Sequence, residues 1–333
     1  MSANPIIGGA TPGSGAGSRS EPGVVPTGAE GPATRSEERY RSLGRSRRQP
    51  ERSQLRRNLK RFLLDNRLNF IGVCIVGLFL VLSLFGEILT PHDPYAQDIT
   101  GSKLKAPSLE HPLGTDELGR DVLSRVMTGT RISLQVAVVV LAFAVSFGTL
   151  VGALSGYLGG LADEVLMRIT DMFLAFPALV LAVTIAATLG KSLTNTMIAL
   201  STVFWPWYAR LVRAQVLSIK ERDFVTAGRS LGLSPSRLLF RHILPNAVAV
   251  VIIQLTLDVG YAILATSSLS FIGLGAQPPS PEWGTMLSDV RSYFRDAWWY
   301  TTFPGVALTL TVFAFNVLGD GLQDALDPRS SRR

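Results

Sequence analysis

Six mostly apolar runs, near 68–90, 134–158, 172–190, 194–212, 247–272 and 303–322, dominate this sequence. Each approaches the length of about 20 residues that a helix needs to cross the hydrocarbon core of a bilayer. No water is available there to satisfy an exposed N–H or C=O, so spans of this length must close their hydrogen bonds within themselves as helices. The expectation is an all-α membrane protein with six transmembrane helices over 68–328. With 47% hydrophobic and only 17% charged residues, the composition excludes an ordinary soluble enzyme.

Six spans place both ends on one side, and the cations say which. The formal charge is +7. Residues 1–67 hold thirteen Lys/Arg against six Asp/Glu, leaving the remainder balanced. A cytoplasmic N-terminus puts this tail, Arg168, the three C-terminal arginines and the block Arg210, Arg213, Lys220, Arg222, Arg229, Arg237 and Arg241 inside, as cation bias requires. Both termini are therefore expected in the cytoplasm, with 91–133 and 273–302 outside.

Residues 1–55 are Gly, Pro, Ser, Ala, Arg and Glu with few large apolar side chains, a composition expected to stay disordered. The first apolar run begins near Leu68, too late for a cleavable signal. Between them, 56–67 interleaves Leu59, Phe62 and Leu63 with Arg56, Arg57, Lys60 and Arg61, as an amphipathic helix on an anionic membrane surface would. A nucleic-acid arm is the rival reading, disfavoured because only membrane spans follow. The lone cysteine, Cys74, excludes an intrachain disulfide and a redox pair.

Within the second span Ala144, Gly148, Gly152, Gly156 and Gly160 recur every four residues, leaving one helix face bare for close packing. Trp298, Trp299 and Tyr300, just before the sixth, read as an interface belt. Asp258 lies mid-way along the fifth, where an insertion scale sets the cost of a carboxylate at roughly 2.5–3.5 kcal/mol, so it should face a cavity, the bundle interior or a subunit interface. Trp205 and Tyr208, around Pro206 in the fourth span, read as pathway wall or as packing, packing being preferred for the aromatic group.

The longest inner connection, 213–246, reads RAQVLSIKERDFVTAGRSLGLSPSRLLFRHILPN. It predicts a short helix around Lys220–Leu231 stopped by Gly232, then a second helix capped by Ser234 with Pro235 at its first position, ended or kinked by Pro245. The spacing of Thr226-Ala227-Gly228, Gly232 and His242-Ile243-Leu244-Pro245 resembles the EAA signature of ATP-binding-cassette importer permeases. Thr226, Gly228 and His242 depart from that pattern. Two flanking stretches, HPLGTDELGRDVLSR at 111–125 and LSFIGLGAQPPSPEWG at 269–284, with the ending GDGLQDALDP at 319–328, resemble the C-type permeases of dipeptide, oligopeptide and nickel importers. The similarity spans roughly 60–328.

This resemblance implies a type I importer permease in a bacterial inner or plasma membrane, with no cofactor of its own. Its implied partners are a second homologous permease subunit, cytoplasmic ATP-binding subunits and an extracytoplasmic solute-binding protein. The segment around Phe224–Gly232 would be the coupling helix in a groove of the ATPase, with small Ala227 and Gly228 permitting close approach.

Other chemistry is less well supported. His92, Asp93, His111, Asp116 and Asp121 could be written as a metal site, but Gly114 and Gly119 break the helical spacing that would converge them. Gly190-Lys191-Ser192 resembles the end of a phosphate loop, yet Ile185 stands where that motif needs glycine. ATP hydrolysis is thus left to a partner. The alternative function is an ion-coupled secondary transporter using Asp258 as carrier site, which would be expected to show repeated halves. An intramembrane hydrolase lacks a paired nucleophile and base.

Overall fold

The computed structural model describes residues 67–326. The tail expected over 1–55 and nearly all of the amphipathic stretch at 56–67 lie outside the described residues. The described residues are helices and connections with one isolated β-bridge, between Thr115 and Asp121. We number the helices α1 (Arg67–Leu89), α2 (Val122–Leu158), α3 (Gly160–Leu174), α4 (Ala178–Leu189), α5 (Leu193–Lys220), α6 (Asp223–Ser230), α7 (Pro235–Phe271), α8 (Trp283–Asp289) and α9 (Trp298–Leu326).

Among the described residues α1, α2, α7 and α9 are long and apolar enough to cross a membrane, and α3 with α4 make a fifth if that bent pair is one span. Helix α5 has 28 residues, about 42 Å at 1.5 Å per residue, but is less apolar, with Thr, Trp and Tyr along it and Arg210, Arg213 and Lys220 toward its end. The run read as a span at 172–190 falls across the end of α3 and α4. The chain bends by 85° between α3 and α4. Pro177, at the N-cap of α4, has no N–H to continue the preceding helix. At 12 residues α4 covers only about 18 Å.

The second helix begins at Val122, well before the expected 134. Asp121 caps it, Oδ2 accepting from the Ser124 amide at 2.8 Å. Its first turns are polar yet buried, because the 90–121 segment covers them. Arg120 and Arg125 converge on Asp116 Oδ2, at 2.6 and 3.4 Å, with side chains 2% and 1% exposed. Hydropathy cannot see this extension, since Ser124, Arg125 and Thr128 in it are buried against protein groups rather than lipid.

Helix α2 packs most extensively against α5, and the glycine stripe is the reason. A Cβ on Gly148 would stand 2.5 Å from the Trp205 carbonyl oxygen, and one on Gly152 2.2 Å from that of Ala209. The backbones meet where side chains are absent. Helix α9 packs on α1 and α7, and α7 also contacts α2 and α5.

The aromatic belt is also corrected. Trp298 is exposed, but Trp299 and Tyr300 are buried. Trp299 lies against Gly114, where a Cβ would meet the indole at 2.5 Å, and donates to the Thr115 carbonyl at 3.1 Å. A polar partner inside the fold draws the indole away from the interface.

Candidate functional site

Two regions carry the residues singled out by sequence, and α5 and α7 run through both. The first is the corner between them. Helix α6 is short, and its end closes as a Schellman motif: Gly232 N–H donates to Arg229 O at 3.0 Å and Leu233 N–H to Gly228 O at 3.2 Å. Gly232 has φ +77°, which glycine adopts without a Cβ penalty. The corner therefore stands at the expected residue, one turn of local chemistry that six residues specify.

Its surroundings differ from expectation in two respects. Residues 213–220 belong to α5, so α6 starts at Asp223 rather than Lys220. Ser234 occupies the N-cap position before Pro235 but its side chain makes no capping bond. Of the two outcomes expected at Pro245, an end or a kink, the helix does not end there. Leu238–Ile243 widens into a π-helical turn, the Leu244 amide donating to Leu239 O, and the helix continues to Phe271. The extra residue in that turn accommodates a proline that has no N–H to offer.

The faces of α6 are well separated. Val225 and Gly228 are buried; a Cβ on Gly228 would come 2.8 Å from Leu238 Cδ2. Gly228 thus meets Leu238 of its own chain, a reason for a small residue there besides the close approach of a partner expected from the resemblance. Phe224, Thr226 and Ala227 point outward, with Leu231 83% exposed beyond them. His242 is half-buried and Pro245 exposed. Above the corner, Arg213 grips Asp163 of α3 with two bonds of 2.6 Å, and Lys220 Nζ donates to Gly156 O at 3.0 Å. These bonds tie the ends of α2, α3 and α5 together.

The second region is a cleft of about 540 Å³ between α4, α5 and α7. Its polar lining includes Asp258, Gln254 and Arg210, set among Phe204, Trp207 and Tyr261. Asp258 is half-buried, with Oδ2 accepting from Tyr208 Oη at 2.7 Å and Oδ1 from Gln254 Nε2 at 2.9 Å. Arg210 pairs with Asp171 at 2.5 Å. Tyr208 is fully buried and reaches the cleft only through this bond. Trp205 is not among the lining residues; it packs edge-on between Phe147 and Phe173, at centroid distances of 5.1 and 5.4 Å. The neighbouring Trp207, which sequence reasoning did not separate from it, faces the cleft instead. Gln254 was also missed, though its place one turn before Asp258 on the same helix was a readable signal.

Gly190 and Ser192 form the turn into α5, where Ser192 Oγ accepts from the Asn195 amide at 3.0 Å.

Comparison with known proteins agrees with this architecture. Residues 148–332 match the family described as binding-protein-dependent transport system inner membrane component, and residues 53–107 match the N-terminal TM domain of oligopeptide transport permease C. The dipeptide transport system permease protein DppC of Alkalihalophilus pseudofirmus is 45% identical over 267 residues, 80% of this chain and 88% of that protein. The probable D,D-dipeptide transport system permease protein DdpC of Escherichia coli is 46% identical, covering 80% and 90%. The glutathione transport system permease protein GsiD of Pectobacterium atrosepticum is 40% identical, covering 81% and 89%. A chain of the MetNI methionine ABC transporter in an inward-facing conformation shares the fold, with a TM-score of 0.52 at 18% identity over 62% of this chain and 98% of that one. The chain belongs to the binding-protein-dependent transport system inner membrane components, as a C-type permease of the dipeptide and oligopeptide branch, and is a transport subunit rather than an enzyme.

Proposed function

We propose that this chain is one of two non-identical membrane subunits of an ATP-driven importer for di- or oligopeptides or a related small solute. In this reading it crosses a bacterial inner membrane six times with both termini cytoplasmic, the bent α3–α4 pair and α5 supplying two of the spans. An extracytoplasmic binding protein delivers cargo, and cytoplasmic ATPases dock on α6. Closure of the ATPases is transmitted to the bundle, which alternates between outward and inward access. The relatives named for dipeptide, D,D-dipeptide and glutathione transport support a peptide cargo.

The observation that carries the reading is continuity between corner and cleft. The exposed face of α6, with Phe224, Thr226 and Ala227, sits between the ends of α5 and α7, and those two helices supply Arg210, Gln254 and Asp258 to the cleft. A push on α6 therefore acts on both walls. Asp258 and Arg210 give the cleft one acidic and one basic side chain for the two ends of a zwitterionic peptide, whose carboxylate would compete for Arg210 with Asp171.

The test is uptake of labelled dipeptide into proteoliposomes holding the assembled complex, with binding protein outside and ATP inside. Wild type should accumulate peptide only with ATP, and Phe224→Asp should lose ATPase association while remaining in the membrane. Uptake that runs on an ion gradient without the ATPases would overturn the proposal.

A further inference from the structure

His92, Asp93, His111, Asp116 and Asp121 are spread over 30 residues of loop, and helical spacing argues against their convergence. The fold brings three of them together all the same. Gly114 and Gly119, at φ +77° and +76°, turn the chain back on itself, and His92 leaves α1 beside the N-terminus of α2. His92, His111 and Asp121 then each present one ligand atom, all within 4.8 Å of one another. Asp116 is instead held by Arg120, and Asp93 Oδ1 accepts from the Tyr95 amide.

We propose that His92, His111 and Asp121 bind a divalent transition-metal ion of the zinc class, clipping the exit of α1 to the start of α2. Two imidazoles and one carboxylate are the donor set of a zinc site with a fourth position for water. Zinc–ligand bonds of about 2.0–2.1 Å in a tetrahedron place neighbouring ligand atoms roughly 3.3 Å apart. Here His111 Nδ1 is 2.9 Å and His92 Nδ1 3.9 Å from Asp121 Oδ1, so these two pairs each need a shift of about half an ångström, and the two imidazoles, within 4.8 Å of each other, close by up to about 1.5 Å.

Three further features favour a ligand. His92 Nδ1 is buried with no hydrogen-bond partner, an unfavourable state for a polar atom that a ligand would relieve. The two rings lie 4.8 Å apart at 39°, facing the same carboxylate. A second shell is in place: the His92 amide donates to Ser124 Oγ at 3.2 Å, and that hydroxyl donates to Asp121 Oδ2 at 2.8 Å. Oδ2 is thus committed to capping α2, leaving Oδ1 for the metal. His111 carries its proton on Nδ1 when it donates to Asp121, so binding requires the Nε2–H tautomer. The site stands independently of the transport reading, because it involves no group of the cleft or the corner.

The experiment uses the full-length chain in detergent with any affinity tag removed, stripped by chelator and titrated with zinc chloride by calorimetry, with magnesium chloride as control. One zinc per chain and no response to magnesium are expected. His92→Ala, which removes a partly exposed ring with an unpartnered nitrogen, should abolish stoichiometric binding, and Ser124→Ala should weaken it by about 10–100-fold. Cobalt chloride supplies the second readout, since a tetrahedral site gives strong visible absorption that wild type should show and His92→Ala should lack. Absence of zinc binding, an octahedral cobalt spectrum, or undiminished binding in His92→Ala would each overturn the proposal.

Discussion

Gly152→Ala tests the bare-face argument at its tightest point. The added Cβ would lie 2.2 Å from the Ala209 carbonyl oxygen and 3.0 Å from the Ala209 Cα and carbonyl carbon. All three are backbone atoms, so no side chain can rotate away, and α2 and α5 must separate by about 1 Å to restore an ordinary contact. Overpacking of this kind costs typically ~1–3 kcal/mol, and a rigid backbone contact belongs at the upper end. Replacing a mid-helix glycine by alanine gives back about 1 kcal/mol of helix propensity. The net expectation is a loss of about 2 kcal/mol. Gly77→Ala is the internal control, because nothing lies within 4 Å of its Cβ and only the propensity gain remains. Thermal denaturation of the two purified variants, followed by the fraction remaining monodisperse after heating in one detergent, should place Gly152→Ala below wild type and Gly77→Ala at or above it. Equal stability of the two variants would refute the claim that backbone contact sets the α2–α5 spacing.

Gly232→Val should leave the subunit inserted but reduce cargo-stimulated ATP hydrolysis by the reconstituted complex: nothing crowds a Cβ there, so the cost is the left-handed backbone itself, about 1–2 kcal/mol, and normal stimulation would move the coupling corner elsewhere. Asp258→Asn, which keeps the shape and can keep hydrogen bonds to Tyr208 and Gln254 but removes the charge, should lower ATP-driven uptake several-fold with assembly intact and Asp258→Leu should do no better; full transport by Asp258→Asn would remove the carboxylate from the pathway. At the end of α8, burial pushes the Asp289 carboxyl up to about 6, with Glu117 adding to the rise and Arg125 and Arg120 opposing it. The folded chain then holds this proton more tightly than the unfolded chain, so stability should fall as pH rises from about 4 to about 6, and Asp289→Asn should flatten that part of the thermal-stability profile; an unchanged profile would contradict it.

What sequence alone determined here are features whose physics is local. A bilayer demands about 20 apolar residues in one stretch, so 68–90, 247–272 and 303–322 could be read directly and correspond to α1, α7 and α9. The corner at Gly232 was legible because a Schellman motif depends on one left-handed residue and hydrogen bonds within a single turn. The glycine stripe was legible as a face, though not as a face for α5. Tertiary structure decided everything that depends on what covers a residue. Residues 122–130 are helix and largely buried because the 90–121 and 279–283 segments fold over them, and no hydropathy window registers a polar surface covered by protein. Gly228 points at Leu238, and Trp205 and Trp207 divide between packing and cleft, because the neighbouring helices assign the faces that a helical period only distinguishes. His92 reaches Asp121 across 29 residues of chain for the same reason. Two positive-φ glycines that break a helix, and so argue against convergence in the sequence, are the turns that produce it once the loop closes on the bundle.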